Sequence, residues 1–336
     1  MEQKVLRVSA IVIGCALALR LIGTVNLKAV QDSVLTPEVA SWVMFLQTGR
    51  LMRPVNIAFS PQPTQPTPET EPTLPEPTQP SQPPQEAVLT FSPDSAKDLE
   101  ISCNFDCSAD LSALLTQPLS WNLTEGEPTV LILHSHGSES FAPTGTYKEI
   151  SPYHTLDCNH NMISIGTHVA QLLEAGGISV IHDTVLHDNP AYDASYSNSR
   201  ASVESYLKEY PSIRLVLDLH RDAFEDENGN QIVRTVFSEG ITLAPLMFVV
   251  GTDAGGLHHP QWQENLALAL KLQTQLETLC PGLCRPIDLR TQRFNQDLSE
   301  GALLVEVGAS GNTRQEALRT AEVLAEGILS LAYGSR

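Results

Sequence analysis

The segment LILHSHGSES, residues 131–140, ends an aliphatic run with two histidines and a glutamate. His136 and Glu139 stand in His-x-x-Glu spacing, and His220 follows in the run LVLDLHRDA. Neutral imidazoles and a carboxylate are the ligands a catalytic zinc takes, three from the protein with one position left open. Such a centre also needs a carboxylate that is not a ligand, to carry a proton from the attacking water to the leaving group. Glu306 is the candidate, a single acid in the apolar run ALLVEVG, where burial is costly unless the group is paired or used. The candidate ligands are therefore His134, His136, Glu139 and His220. His134 competes with His136, because residues two apart on an extended segment share a face. Histidines dominate the set, so zinc is expected rather than calcium or magnesium. Arg221 could polarise a carbonyl, and Asp222 could fix the tautomer of His220; a surface ion pair is the plainer reading of both.

These residues need strands to hold them. Short continuous apolar runs at 129–134, 178–183, 213–220, 245–253 and 302–308 read as strands buried on both faces. Helical patterns lie between them. Residues 161–175 stop at Gly176-Gly177, residues 261–279 stop at Pro281-Gly282, and a last helix opens with Thr313 and Glu316 in capping-box spacing. Strands alternating with helices predict an α/β domain with a mostly parallel, twisted sheet flanked by helices. Ligands in such a sheet bind at the carboxyl ends of strands, where the candidate residues fall. Neither a nucleophile-elbow frame around Ser135 and Ser138 nor a phosphate-binding glycine loop is present.

The chain has 336 residues and a formal net charge of −19, with no basic stretch, which argues against nucleic acid as a partner. Residues 1–7 read as a cytoplasmic tail and the apolar run 8–25 as a membrane anchor, with Lys4 and Arg7 on the inner side; a cleaved signal peptide is the alternative. Residues 26–53 form a juxtamembrane segment. Residues 54–86, rich in Pro, Gln, Thr and Glu, form a disordered spacer. Residues 87–336 form the globular domain. These readings predict a cell-membrane protein of a single pass, with its domain on the extracytoplasmic side. There, Cys103/Cys107 and Cys280/Cys284 could each close a short disulfide loop, free thiols being the alternative.

The runs LILHSHGSESF, GISVIHDTVLHD, YSNSR, LVLDLHRDA, FVVGTD and FNQDLSEGALLVEVGASGNT, in this order, resemble the stage II sporulation protein P family. The resemblance covers residues 128–332 and the layout of anchor and linker. It implies an amidase-like or zinc-carboxypeptidase-like fold and a zinc-dependent N-acetylmuramoyl-L-alanine amidase that cuts peptidoglycan, and peptide cross-links as well, in forespore engulfment. It also implies partnership with stage II sporulation proteins D and M. Carried over by motif, His134 or His136, Glu139 and His220 fall on metal positions and Glu306 on the catalytic carboxylate. Cell-wall amidases take a ligand carboxylate from the start of the helix after the first strand; here that region reads CNHNMISIG, so the role passes to Glu139 or His160. Arg200 and Asn295, on predicted loops at the same sheet edge, are assigned to sugar or stem peptide. A zinc carboxypeptidase and a non-catalytic wall-binding module are the competing functions.

Overall fold

Four of the five apolar runs become inner strands of one seven-stranded sheet, and the run at 178–183 a half-buried edge strand, in a computed structural model that describes residues 90–144 and 147–334. The elements run β1 (Ile101–Ser102), α1 (Leu111–Thr116), β2 (Val130–Leu133), α2 (Met162–Ala175), β3 (Val180–His182), α3 (Ser195–Glu209) and β4 (Leu215–Asp222). They continue β5 (Val236–Ser238), β6 (Ile241–Leu243), β7 (Leu246–Gly251), α4 (Trp262–Leu279), β8 (Ile287–Arg290), β9 (Ala302–Ala309) and α5 (Arg314–Tyr333). The tail, anchor, juxtamembrane segment and proline-rich spacer lie outside the described residues. Among those described, no helix is long and apolar enough to cross a membrane.

The strand order is β1-β8-β7-β9-β4-β2-β3, and every neighbouring pair is parallel except β7 with β9. The sheet is thus mostly parallel by pairing, yet β7, β8 and β1 run against the other four strands. In consequence the carboxyl end of β9 meets the amino end of β7, with Glu306 opposite Met247. On its other side Glu306 pairs with His220 of β4.

Period-two alternation divides the core between the two faces of the sheet. On one, Ile132, Leu217, Leu219, Val305 and Phe248 pack with Ile165, Leu173, Leu268 and Leu324 of α2, α4 and α5. On the other, Leu131, Leu133 and Val216 pack with Val203 and with the flanks of Tyr206 and Leu207 on α3. Met247, Val249 and Leu304 form a separate apolar group on that face, beside Phe294. Asp218, His220 and Glu306 share this second face by the same alternation. Each fully buried aliphatic side chain contributes about 1.5–3 kcal/mol, so the sheet is a stiff base for whatever polar groups it carries.

Local chemistry sets the helix ends. The Asn161 side chain accepts from the N–H of Ile163 to start α2, and Thr313 with Glu316 makes the reciprocal capping box of α5. Helix α3 differs from the sequence expectation, which left its start as a loop. Its residues SYSNSRASVESYLKE are rich in Ser and Asn, weak helix formers whose polarity hides the apolar stripe. The cysteine pairs also part company: Cys103 and Cys107 are bonded, whereas Cys280 and Cys284 are free thiols. Cys280 is buried in the main core, while the backbone N–H of Cys284 donates to Glu277 at 2.7 Å.

Candidate metal centre

Strand β2 stops at Leu133, and each polar residue of the loop that follows is tied down. The N–H and Oγ of Ser135 donate to the two carboxylate oxygens of Asp218, at 2.7 and 2.6 Å. Ser138 donates from its N–H at 3.0 Å and its Oγ at 2.6 Å to Asp188. The N–H of Glu139 donates to the carbonyl of His136 at 3.2 Å, closing a turn that sets the two side chains next to each other.

His220 completes the group: one donor atom from each of His136, Glu139 and His220 lies within 4.8 Å of the others. His136 Nδ1 is 3.7 Å from Glu139 Oε1, and His220 Nδ1 is 3.6 Å from Glu139 Oε2. The far nitrogens are held from behind. His136 Nε2 lies 3.0 Å from Ser195 Oγ on α3, and His220 Nε2 lies 2.9 Å from Asp218 Oδ1, bent enough to be an ion-pair contact rather than a linear hydrogen bond. Both imidazoles therefore turn Nδ1 inward and are oriented by a partner on the outer nitrogen, as metal-binding histidines are.

The electrostatics suit a cation in place of the proton on His220: burial works against the charged ring, but Asp218 and then Glu139 outweigh it and raise its pKa well above the usual imidazole value. Burial raises the pKa of Glu139, but Arg221 and then His220 and His136 outweigh it and hold the carboxyl ionised, at about 2. Burial likewise works against Asp218, whose ion pair with His220 and bonds from Ser135 bring it down to about 2. His136 is lowered by burial first and by His220 second, so its ring stays neutral and able to ligate. Glu306 behaves oppositely. Burial pushes its pKa up, His220 opposes and Glu139 adds to the rise, and Oε2 is buried without a hydrogen-bond partner. Two inward imidazole nitrogens, an ionised carboxylate and, beside them, an acid with an orphaned buried oxygen fit a divalent transition metal with a proton carrier.

Several expected site residues fall elsewhere. His134 lies on the opposite face, because the chain turns at Ser135 and the alternation of an extended strand no longer applies. Its Nδ1 is 2.9 Å from the carbonyl of Leu219, which can only accept, so Nδ1 carries the proton and Nε2 receives one from His182 Nε2 at 3.0 Å. Burial lowers His134 to about 3 and keeps the pair neutral. Gly166 of α2 makes room, since a Cβ there would stand 2.4 Å from His134 Nε2. His160 is not in the cluster either; its Nδ1 is 3.0 Å from Asp157 at the partly exposed start of α2.

Arg221 is 6% exposed and its guanidinium is taken up by protein acceptors. It donates from Nη1 to Glu139 at 3.3 Å, from Nε to the carbonyl of Ser140 at 3.1 Å and from Nη2 to that of Tyr153 at 3.1 Å. Asp222 pairs with Arg285, so the carboxylate behind His220 is Asp218, two residues before it on the same face. Arg200 lies within α3 rather than on a loop. Its guanidinium forks onto Asp297 at 2.9 and 3.0 Å, and Asn295, in a left-handed conformation, donates to the carbonyl of Tyr196 at 2.8 Å. Together they fasten residues 293–298 to α3. His259 is fully buried, its Nε2 2.9 Å from Asn265 Oδ1.

The sequence reading missed Asp218 as a partner and Ser195 and Ser199 altogether. The serines four apart in α3 were the available signal: small hydroxyls at that spacing share a helix face. Ser199 Oγ lies 2.8 Å from Ser135 Oγ, so that face seats the ligand loop.

Two imidazoles and a carboxylate at the carboxyl edge of a helix-flanked sheet define an α/β protein with a candidate metal-binding centre. The chain belongs to the Stage II sporulation protein P (SpoIIP) family, whose model matches residues 44–329. It is 27% identical over 214 residues to the stage II sporulation protein P of Bacillus subtilis (strain 168), a match that covers 60% of this chain. The chain spans about half of that relative, 51% of its length. Among solved structures it is similar to the N-acetylmuramoyl-L-alanine amidase AmiC2 of Nostoc punctiforme, at 14% identity and a TM-score of 0.38 over 61% of this chain and 97% of that one. It is also similar to the N-acetylmuramoyl-L-alanine amidase of Clostridium difficile 630, at 16% identity and a TM-score of 0.34 over 61% of this chain and 95% of that one.

Proposed function

We propose that this protein is a zinc-dependent peptidoglycan hydrolase, an N-acetylmuramoyl-L-alanine amidase acting in sporulation. One observation carries the reading: the converging donor atoms of His136, Glu139 and His220 lie beside Glu306, a half-buried glutamate whose Oε2 is buried and unpartnered. His136, Glu139 and His220 would hold the ion. Zinc bound there would polarise a scissile carbonyl and lower the pKa of a water. Glu306, with no other partner for Oε2, takes the proton from the attacking water and returns it to the leaving amide nitrogen. Asp218 and Ser195 keep the two imidazoles aimed inward, and Arg221 keeps Glu139 ionised.

Family membership supports a role in sporulation and peptidoglycan as the substrate; engulfment as the setting and stage II sporulation proteins D and M as partners belong to the proposal. The reading includes a membrane location through the apolar run at 8–25, with the domain outside the cytoplasm, for which the composition of that run and its flanking Lys4 and Arg7 are the support. Against the carboxypeptidase reading, a free substrate carboxylate calls for an arginine. Arg200 and Arg221 are committed to Asp297 and Glu139.

The test incubates the full chain with purified peptidoglycan, with and without chelator, and reads the products by mass spectrometry. Stem peptides with a new L-alanine amino terminus, lost with chelator and reduced about 10²–10⁴-fold in Glu306→Gln, are expected. Release of single terminal amino acids would replace the amidase with a carboxypeptidase. A folded, zinc-loaded protein that yields no product even with a lytic transglycosylase present would leave a binding module.

A further inference from the structure

Tyr192 opens a single 3-10 turn, Tyr192–Ala194, and is 51% exposed. Its ring stacks on His136 at 4.4 Å between centroids and 18° between planes. The hydroxyl lies 3.3 Å from His136 Nδ1, the same nitrogen that faces Glu139 Oε1 at 3.7 Å. Because the rings are nearly parallel, the hydroxyl stands over Nδ1 rather than in line with its in-plane lone pair. An ion on Nδ1 would take that in-plane lone pair. The phenol oxygen, which has lone pairs of its own, would then stand beside the ion, over the edge of the ring where the ligands converge.

We propose that Tyr192 is the fourth protein group of the metal position, its hydroxyl oxygen covering the open side in the resting protein and withdrawing when substrate enters. The proposal rests on the metal-centre reading above. Several features of the chain make the tyrosine suited to it. The ring is placed by stacking on a ligand rather than by burial, so it returns to one position after each excursion. Its turn lies on the connection between β3 and α3, with Tyr192 three residues before Ser195, so the group that covers the metal position and the group that orients His136 belong to one short segment. The half-exposed side chain has solvent to swing into, and no strand or helix need shift when it does. A cover of this kind keeps adventitious nucleophiles and anions off the centre until a substrate chain displaces it.

The experiment loads the full chain with zinc or cobalt(II) and compares wild type, Tyr192→Phe and His136→Ala. Tyr192→Phe keeps the stacked ring and removes one oxygen. Zinc release into a chelator is expected to speed up about tenfold in Tyr192→Phe, and the cobalt(II) visible spectrum is expected to shift as a water replaces the phenol oxygen. His136→Ala is expected to bind neither metal. Unchanged release and superimposable cobalt spectra in Tyr192→Phe, with His136→Ala still unable to bind, would overturn the role of Tyr192 and leave the metal centre standing. Metal binding by His136→Ala equal to that of wild type, or none by wild type, would overturn both.

Discussion

Arg221→Met is the substitution that best separates a group that positions a ligand from one that touches substrate. Methionine matches much of the apolar volume of the arginine stem but abandons Glu139, whose Oε1 lies 3.3 Å from Nη1, along with the carbonyls of Ser140 and Tyr153. Breaking one partner out of a buried ion pair costs about 3–5 kcal/mol, because the remaining charge stays desolvated. The buried carbonyl of Ser140 loses its donor as well, while that of Tyr153 still accepts from the N–H of Ser140 at 2.8 Å, so the middle of that range applies at this site. For a domain whose total stability is about 5–15 kcal/mol, the loss is a large fraction of the whole. The assay is urea unfolding of the full chain with chelator present, followed by tryptophan fluorescence. Zinc should restore part of the loss, since a cation on Glu139 supplies the charge that Arg221 gave. Arg221→Lys should recover part of it too, keeping the charge without the fork that reaches three acceptors. A substrate-binding Arg221 predicts the reverse pattern, full stability and lost turnover. Unfolding of Arg221→Met at the wild-type urea concentration in chelator would refute the positioning role.

Glu306→Gln should be more stable than wild type at pH 7 in the metal-free protein. A raised pKa means that the folded state binds a proton that the unfolded chain releases, so wild type loses stability as the pH rises above about 4, and glutamine carries no such penalty. Thermal melts across pH should show the difference closing below that value. Lys271→Met removes the ammonium that donates to the carbonyls of Leu114 and Leu115, at 2.8 and 2.7 Å, near the end of α1. It should lower stability by about 1.5–3 kcal/mol in urea unfolding without altering turnover. Gly166→Ala drives a methyl against the buried His134–His182 pair. A net loss of about 1–2 kcal/mol is expected after the helix-propensity gain, and melting with chelator present checks it.

Most of the sheet was legible because strands buried on both faces are unbroken apolar runs, and those at 129–134 and 302–308 needed no other evidence. What escaped was short or polar. Strand β1 has two residues, β8 has four, and the β5–β6 hairpin turns through Glu239 and Gly240, both with positive φ. No periodicity accumulates over such lengths. The reversal of β7 was also hidden, since direction depends on a connection and not on composition. At the site, His136, Glu139 and His220 could be read from residue type and spacing. The error over His134 came from extending strand geometry through a turn whose cause, Ser135 bonded to Asp218, lies 83 residues away. Arg221 was misread for a related reason: an arginine beside a ligand histidine looks the same in sequence whether it faces substrate or the back of Glu139.

The two halves of the site are held in different ways, and the difference suits their proposed tasks. His136 and Glu139 lie on a loop, where a ligand set can relax around an ion, and their alignment comes from side-chain bonds to Asp218, Asp188, Ser195 and Arg221. Glu306 lies within β9, and its neighbours on the strand are paired with β4 on one side and β7 on the other. A strand bonded on both sides cannot slide to accommodate its carboxylate, so the acid stays at a fixed offset from His220, its partner in register. Proton transfer is sensitive to such offsets, and a displacement of about 1 Å can cost about 10²-fold in rate. The antiparallel seam at β7 adds to this. It places Met247 beside Glu306 and the apolar group of Val249, Leu304 and Phe294 on the same face, which keeps one flank of the acid out of water. The reversal at β7 therefore supplies the dry wall that raises the pKa of Glu306, and a cation on the neighbouring ligands would lower it again for proton transfer.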